Sequence, residues 1–436
     1  MSFTDLLPLI ITLAGAFFLV RLRFFFVAHP LRVIKRIGNT VKDKTSRKSL
    51  ALALAGTLGV GNIVGVAYGI SVGGAGSLFW IFISGLFASV IKYAESSLAK
   101  DMLVGGRGGM MYVLSSSFKK CGKFLGTLYA FLCLLLSLSM GSALQSRSAV
   151  SATQRLIKAN PIILALIFAF LCAAVVLGGA KKIENATSVI IPTATIVYII
   201  ICLVMIIGNA RSMTSILSSI ISDALNFRSA AGGVSAFFIS NSLKEGYSRG
   251  LLSNEAGAGT SAMAQTRSKN LIPSDVGLLG MCEVFFDTSL LCMLTGFAVL
   301  SSLDNEPYGA GGMEIVLSAV RSSVGRGGEC AVILLVFAFA YSTVICWYYY
   351  GRECFEYLFK DRGGAVFTSV YILFSFIGFI ISECTLIRLT DTILFLMSLL
   401  TVSALIKNSE RIVILSEDGR LLKKSDRGKK SVSERV

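Results

Sequence analysis

The sequence has a single histidine, His29, and its ten cysteines include no C-x-x-C pair. His29 lies beside Pro30 in a basic segment, so the chain offers no Ser-His, Cys-His or His-metal constellation. Most of the cysteines lie inside apolar runs, as at 132–134 and 345–347, where a cysteine behaves as a small hydrophobe. These features argue against a membrane-embedded enzyme, a disulfide framework and a metal centre.

Charged residues are also scarce, since they make up 15% of the 436 residues while 54% are apolar. Apolar runs near membrane-spanning length recur along the chain. The first run, at 5–28, has no small-residue cleavage site and leads into a basic loop, which favours a span over a signal peptide. The sequence therefore predicts an all-α polytopic membrane protein.

Hydropathy predicts about eleven transmembrane helices, at 5–28, 50–70, 76–100, 122–148, 160–179, 187–208, 230–268, 275–302, 328–355, 364–383 and 386–406. The loop after the first span and the tail 407–436 are strongly basic, which predicts that both are cytoplasmic and that the N-terminus lies outside. We expect the tail to be solvated and to touch anionic lipid. A nucleic-acid partner would also explain a net charge of +16, but the basic residues are divided among many short loops.

Two glycine-rich stretches interrupt the apolar pattern, GTLGVGNIVG at 56–65 and SNEAGAGTS at 253–261. Each opens a set of five predicted helices, 50–208 and 230–406, and an odd number of helices gives the two sets opposite orientations. Interrupted first helices in an inverted repeat indicate a transporter's binding site, because a broken helix exposes amide and carbonyl groups to a ligand. Helix packing through small residues is the alternative for Gly61 and Gly65, but it does not explain the polar Asn62.

Several ordered segments resemble the alanine or glycine:cation symporter family, also called sodium:alanine symporters. They are LAGTLGVGNIVGVAYGISVGGAGSLFW, IKYAE, SRGLLSNEAGAGTSAMAQ, GMCEVFFDT and STVICWYYYGRECFEYLF, between about 50 and 360. The family signature GGPGAxFWMW departs here to GGAGSLFWIF at 73–82. The resemblance implies a LeuT-like core of two inverted five-helix repeats, preceded by one extra helix.

The resemblance also implies roles for particular residues. Substrate binding is expected at Thr57, Val60, Gly61, Gln145 and Trp347, with the substrate carboxylate near the amides of Val60 and Gly61. Sodium is expected between the carbonyls of Ala55 and Leu58 and the hydroxyls of Ser342 and Thr343. For Ser342 alone, a hydroxyl bond back to its own helix is the competing interpretation, and an interhelical hydrogen bond competes for Gln145.

The second unwound segment is expected at Asn254, Glu255, Gly257 and Gly259. Glu255 could neutralise a substrate ammonium, order the broken backbone or relay a proton. Other acids in or near predicted spans are Glu95, Glu283 and Asp287, with Lys92, Lys244 and Arg249 as possible partners. Lys92 and Glu95 are one helical turn apart, which predicts an ion pair.

Together these features predict a secondary active symporter that imports alanine or glycine with Na⁺ across a bacterial cytoplasmic (inner) membrane, with no cofactor other than the coupling ion. A proton-coupled transporter of another small amino acid is the alternative. An ion channel is less favoured, because channels with carbonyl filters usually assemble from repeated subunits, whereas this chain holds its own two-fold repeat.

Overall fold

The computed structural model describes residues 6–225, 241–302, 311–360 and 362–419. In these ranges the regular secondary structure is helical, apart from one isolated bridge between Val104 and Arg107. Residues 230–240 of the predicted seventh span and 420–436 of the predicted tail lie outside the described residues.

The apolar helices and the segments continuous with them are numbered in chain order. They are α1 Leu7–Arg21, α2 Lys44–Thr57, α3 Val64–Gly73, α4 Gly76–Asp101, α5 Gly122–Leu156, α6 Pro161–Val176, α7 Gly179–Gly208, α8 Asn241–Asn254, α9 Ala262–Gln265, α10 Pro273–Ser302, α11 Arg326–Phe359, α12 Gly364–Ile377 and α13 Glu383–Lys407. The remaining α-helices are Phe25–Ala28, Pro30–Thr40, Met110–Ser117, Met213–Ala224, Gly312–Val324 and Ser409–Asp418.

Six of the described helices, α4, α5, α7, α10, α11 and α13, are long and apolar enough to cross a membrane. The pair α2 and α3 forms a seventh candidate span with a bend, and α1, α6 and α12 are apolar but shorter. By length and composition the chain is a polytopic membrane protein. The count of eleven spans remains a prediction.

The N-terminal helix differs from the predicted single span at 5–28. α1 ends at Arg21, and Arg23 and Phe24 then adopt left-handed backbone angles, with φ of 54° and 51°, before the short helix Phe25–Ala28. A left-handed residue cannot continue a right-handed helix, so the chain turns here. The 15 residues of α1 rise only about 22 Å.

The start of the basic tail is ordered, so the expectation of a solvated tail is wrong for Ser409–Asp418. This helix buries Ile412 and Leu415. Its Ser416 hydroxyl shares a 2.7 Å hydrogen bond with the Tyr93 hydroxyl of α4. Apolar residues spaced three apart within the basic sequence explain why one face packs inward.

Close packing of α4 against α8 depends on small residues. A Cβ atom added at Gly246 of α8 would lie 2.8 Å from the Trp80 Cβ and 3.0 Å from the Ser77 Cα of α4. α4 also packs along α10, while α11 packs along α5. Small residues let helix backbones approach in the way that membrane bundles favour. α9 contacts both groups, since it packs against α4 and α11 as well as α2.

Gly246→Ala should destabilise the protein, because the new methyl group meets backbone and not a movable side-chain end. We expect a loss of about 1–3 kcal/mol and a lower melting temperature in detergent. Gly327→Ala is the matched control, since an added Cβ there meets nothing within 4 Å. Equal melting temperatures for the two variants would contradict the close α4–α8 contact.

Candidate functional site

The first glycine-rich stretch interrupts its helix, as its sequence predicts. α2 ends at Thr57, Leu58 and Gly59 are not helical, and Val60–Asn62 form a single 3₁₀ turn before α3. The two halves are bent by 66°. Carbonyls at the end of α2 and amides at the start of the next half therefore lack the usual helical partners.

One face of α11 lies against the end of α2. Trp347 Nε1 donates to the Gly56 carbonyl at 3.2 Å, and Thr343 Oγ1 lies 3.4 Å from the Leu58 carbonyl. Thr343 and Trp347 are four residues apart, so both side chains project from the same face of α11. This face of α11 therefore supplies hydrogen-bond donors to carbonyls that have no partner within the interrupted helix.

The four residues expected to bind sodium lie on these two elements and are buried. They are Ala55 and Leu58 of the first broken helix and Ser342 and Thr343 of α11. Thr343 faces Leu58 across 3.4 Å, which is long for an O–H···O hydrogen bond and suits two oxygens that share a cation. Ser342 Oγ donates to the Phe339 carbonyl of its own helix at 2.9 Å, so only its lone pairs remain for a ligand.

The residues expected to bind substrate include two buried polar side chains with unsatisfied oxygens. Thr57 Oγ1 and Gln145 Oε1 have no hydrogen-bond partner among the described residues. An atom in the Cβ position of Gly59 would lie 3.2 Å from Thr343 Oγ1 and 3.5 Å from Gln145 Oε1. Buried polar atoms normally have partners, so these two oxygens remain available to accept a hydrogen bond.

Gly61 borders open space. Within the described ranges, a Cβ atom added at Gly61, or one turn on at Gly65, would meet nothing within 4 Å. Neither glycine is therefore a notch for helix packing against the described residues. Val60, also expected near the substrate, is buried beside them.

The second interruption runs from Glu255 to Ser261, between α8 and α9. Asn254, expected within it, is instead the last residue of α8. Glu255 is left-handed with a φ of 52°, and Gly257 and Gly259 have φ of 89° and 72°. Two glycines at positive φ allow the reversal at little cost, whereas Glu255 carries backbone strain.

Asn62 joins the two interrupted helices. Its Oδ1 accepts from the Gly59 amide at 3.1 Å, and its Nδ2 lies 2.7 Å from Ser253 Oγ and 2.6 Å from Asp287 Oδ1. Ser253 in turn donates to Asp287 Oδ2 at 2.7 Å. All three side chains are buried, so the first break, the end of α8 and α10 form one hydrogen-bonded unit.

The predicted ion pair between Lys92 and Glu95 is wrong. Lys92 Nζ lies 3.3 Å from Glu283 Oε1 of α10 and donates to Ser261 at 2.7 Å. Glu95 Oε1 accepts instead from the Gly257 amide at 2.7 Å. The Glu95 carboxylate thus bonds to the backbone of the second interruption, and the Lys92 ammonium bonds to its last residue. Together they hold this segment in shape.

The sequence did not reveal two π-helical segments that flank the site. One, Ser139–Leu144, ends immediately before Gln145, and the other, Phe285–Cys292, contains Asp287. π-helical turns occur often at functional sites, but they leave no clear pattern in a sequence. Asp287 itself had a sequence signal, because an acid within an apolar span is costly and usually functional.

Arg147 and Phe285 are two further residues near predicted site segments, and their surroundings differ. Arg147 Nη1 donates to the carbonyls of Phe379 and Ile381, both at 2.9 Å, and so caps the chain after α12. Phe285 is 55% exposed and does not wall a pocket.

Comparison with known proteins gives a consistent result along the whole chain. The profile of the sodium:alanine symporter family matches residues 1–433. The sodium/alanine symporter AgcS of Methanococcus maripaludis is 32% identical over 395 residues, covering 87% of this chain and 86% of that protein. An uncharacterized transporter of Haemophilus influenzae is 31% identical over 387 residues, covering 85% and 84%. A Bacillus subtilis protein named "Probable sodium/glutamine symporter GlnT" is 28% identical over 371 residues, covering 82% and 76%.

Asn62→Ala should weaken the folded state, because Asp287 loses a donor and the Gly59 amide loses its acceptor. An unsatisfied buried group costs about 1–3 kcal/mol, so we expect a lower melting temperature in detergent. Asn185→Ala, at an exposed asparagine bonded to Lys48, is the control and should melt like the unmodified protein. A melting temperature unchanged by Asn62→Ala would show that the link does not hold the two breaks together.

Proposed function

The chain belongs to the sodium:alanine symporter family, and we propose that it imports a small neutral amino acid, alanine or glycine, with Na⁺. It is a cation-coupled amino-acid symporter and not an enzyme. The observation that carries the substrate proposal is the pair of unsatisfied oxygens of Thr57 and Gln145, of which Gln145 Oε1 lies 3.5 Å from the Cβ position of Gly59 in the first interruption. A neutral amide and a hydroxyl suit a zwitterion, since neither adds net charge.

The proposed substrate site uses backbone and side chain together. The amides of Val60 and Gly61 would receive the carboxylate, because they open the half of the broken helix whose dipole is positive at that end. Thr57 and Gln145 would bind the remaining polar groups, and Trp347 would close the apolar side. The absence of a side chain at Gly61 leaves room for the substrate.

The proposed cation site lies directly behind it. The carbonyls of Ala55 and Leu58 and the hydroxyls of Ser342 and Thr343 form a set of hard oxygen donors without formal charge. Such donors suit a monovalent hard cation. Because Gly59 lies between Thr343 and Gln145, an ion that fixes the end of α2 also fixes the backbone that meets the substrate.

The proposed architecture is a LeuT-like fold with eleven membrane helices. Residues 50–208 and 230–406 would form inverted repeats of five helices, the N-terminal segment 5–28 the extra helix, and 407–436 a cytoplasmic extension. The basic loops support a cytoplasmic C-terminus and an external N-terminus in the bacterial inner membrane. In that orientation, inward movement of Na⁺ is driven by its gradient and by about 2.3 kcal/mol per charge per 100 mV of membrane potential.

Uptake by proteoliposomes tests this function. Labelled alanine and glycine should accumulate when Na⁺ is outside and should not accumulate when K⁺ replaces it. A labelled-substrate counterflow would be expected as well, since a symporter exchanges bound substrate and an ion channel does not. Equal accumulation with K⁺ would contradict sodium coupling.

Thr343→Ala should raise the Na⁺ concentration for half-maximal uptake about tenfold or more, because a bond to a charged group is worth about 1.5–3 kcal/mol. Thr343→Ser keeps the hydroxyl and is the matched control, with Na⁺ dependence near that of the unmodified protein. The measurement is uptake against external Na⁺ at saturating alanine. If both variants have the unmodified Na⁺ dependence, Thr343 is not a ligand.

Gly61→Ala should alter the preference between the two substrates. An added methyl group meets open space in the structure, so the fold tolerates it. It would fill volume that the methyl group of alanine needs and that glycine leaves empty. We expect the KM for alanine to rise about tenfold more than the KM for glycine, at the lower end of the discrimination that one methylene provides. An unchanged ratio of the two constants would place the substrate elsewhere.

A further inference from the structure

A cavity of about 160 Å³ lies between α1, α8, the start of the second interruption and α13, and it does not include the proposed substrate residues. None of the residues of the first break or of its Thr343 and Gln145 neighbours lines it. Its charged lining residues are Lys244, Glu245, Arg249, Glu255 and Asp391. A polar cavity of this size holds several water molecules.

Glu255 lies at the buried side of this cavity. The residue is 1% exposed, and its Oε2 accepts a 2.5 Å hydrogen bond from Thr260 Oγ1. Its Oε1 has no hydrogen-bond partner among the described residues. A buried carboxylate with one hydroxyl donor and one bare oxygen is poorly stabilised as an anion.

The surroundings of Glu255 add negative charge. Glu95, Glu283 and Asp287 are fully buried nearby, and Lys92 is the one buried ammonium among these groups. Four carboxylates and one ammonium would leave three uncompensated negative charges inside a membrane protein, which is prohibitively costly.

The hydrogen bonds together with the cavity lining indicate which of these acids exchanges its proton with water. Glu283 accepts from Lys92 and Gln265. Glu95 Oε1 accepts from the Gly257 amide, while its Oε2, like Glu255 Oε1, has no hydrogen-bond partner among the described residues. Asp287 accepts from three side chains, Asn62, Ser253 and Thr288. Glu255 receives only the Thr260 hydroxyl, and of these four acids it alone lines the cavity.

The groups that face Glu255 come from every element around it. They are Lys92 and Glu95 of α4, Tyr129 of α5, Lys244, Glu245 and Arg249 of α8, Glu283 and Asp287 of α10, Cys346 and Tyr350 of α11, and Asp391 of α13. Arg249 pairs with Glu245 at 3.1 Å. Arg249 is therefore paired with a carboxylate of the cavity lining other than Glu255.

We propose that Glu255 is a proton-binding site, reached by water through this cavity on a route separate from the substrate and cation site. The proton comes from cavity water and resides on the Glu255 carboxyl. In the proposed orientation the cavity lies toward the external face, so the proton exchanges with external water. Protonation keeps the strained second interruption in shape, because an anion at Glu255 would repel Glu95, whose Oε1 holds the Gly257 amide.

The first test is the pH profile of Na⁺-driven alanine uptake. In this assay the inference rests on the proposed function, whereas the labelling experiment below does not. The uptake rate of the unmodified protein should fall as external pH rises. If one proton is required, the decrease should approach about tenfold per pH unit. Glu255→Gln mimics the protonated acid, so its profile should be flat on the alkaline side. Glu314→Gln, at a surface glutamate paired with Arg155, is the matched control and should keep the unmodified profile.

The outcomes separate the two proposals. Identical pH profiles for the unmodified protein and Glu255→Gln would overturn the proton site, whereas absence of Na⁺-driven uptake at every pH would contradict the transport function. A third outcome is that uptake by the unmodified protein does not depend on pH while Glu255→Gln changes the Na⁺ requirement. Glu255 would then hold a metal cation, which also overturns the proposal. If Glu255→Gln fails to fold, Glu255→Asp should keep an alkaline loss with a displaced midpoint, and an unchanged midpoint would count against the site.

A second experiment tests the route without touching Glu255. Ser248→Cys places a thiol on the cavity lining, in a background with the exposed Cys121 and Cys384 changed to Ser. A membrane-impermeant thiol reagent added outside intact cells should modify it. Ala165→Cys, buried in α6, is the control and should stay unmodified. Failure to modify Ser248→Cys would overturn the external water route.

Discussion

The side chain of Asn62 is the interaction on which the rest of the site depends. Its amide satisfies a backbone group within the first interruption and also donates to α8 and α10 through Ser253 and Asp287. Because a membrane interior offers no water to either interrupted helix, each needs such partners to exist at all. One asparagine thereby fixes the positions of two broken helices relative to each other.

Charge is handled differently at the two interruptions. The first exposes backbone carbonyls and amides beside neutral side chains, which suits a sodium ion and a zwitterion. The second is held by charged groups, with Glu95 on the Gly257 amide and Lys92 on Ser261. We propose that the first receives ligands and that the second responds to protons, and Asn62 links the two.

Sequence reasoning predicted both interruptions because glycines weaken a helix and polar residues inside an apolar run are costly unless they serve a ligand. It did not predict the end of α1 at Arg21, where Arg23 and Phe24 turn the chain with unfavourable backbone angles that no residue type signals. It also chose the wrong partner for Lys92, since helical spacing favours Glu95 whereas tertiary packing brings Glu283 closer. The cavity at Glu255 involves three helices distant in sequence, so only the assembled structure could reveal it.

At the first interruption, cation and amino acid are proposed to occupy one connected site, so each must strengthen the binding of the other by the same factor. Isothermal titration of the purified protein with alanine, in Na⁺ and in K⁺, measures this coupling directly. We expect alanine affinity to be at least about fivefold higher in Na⁺, with an equal gain in Na⁺ affinity when alanine is present. Equal alanine affinities in the two salts would contradict the connected site.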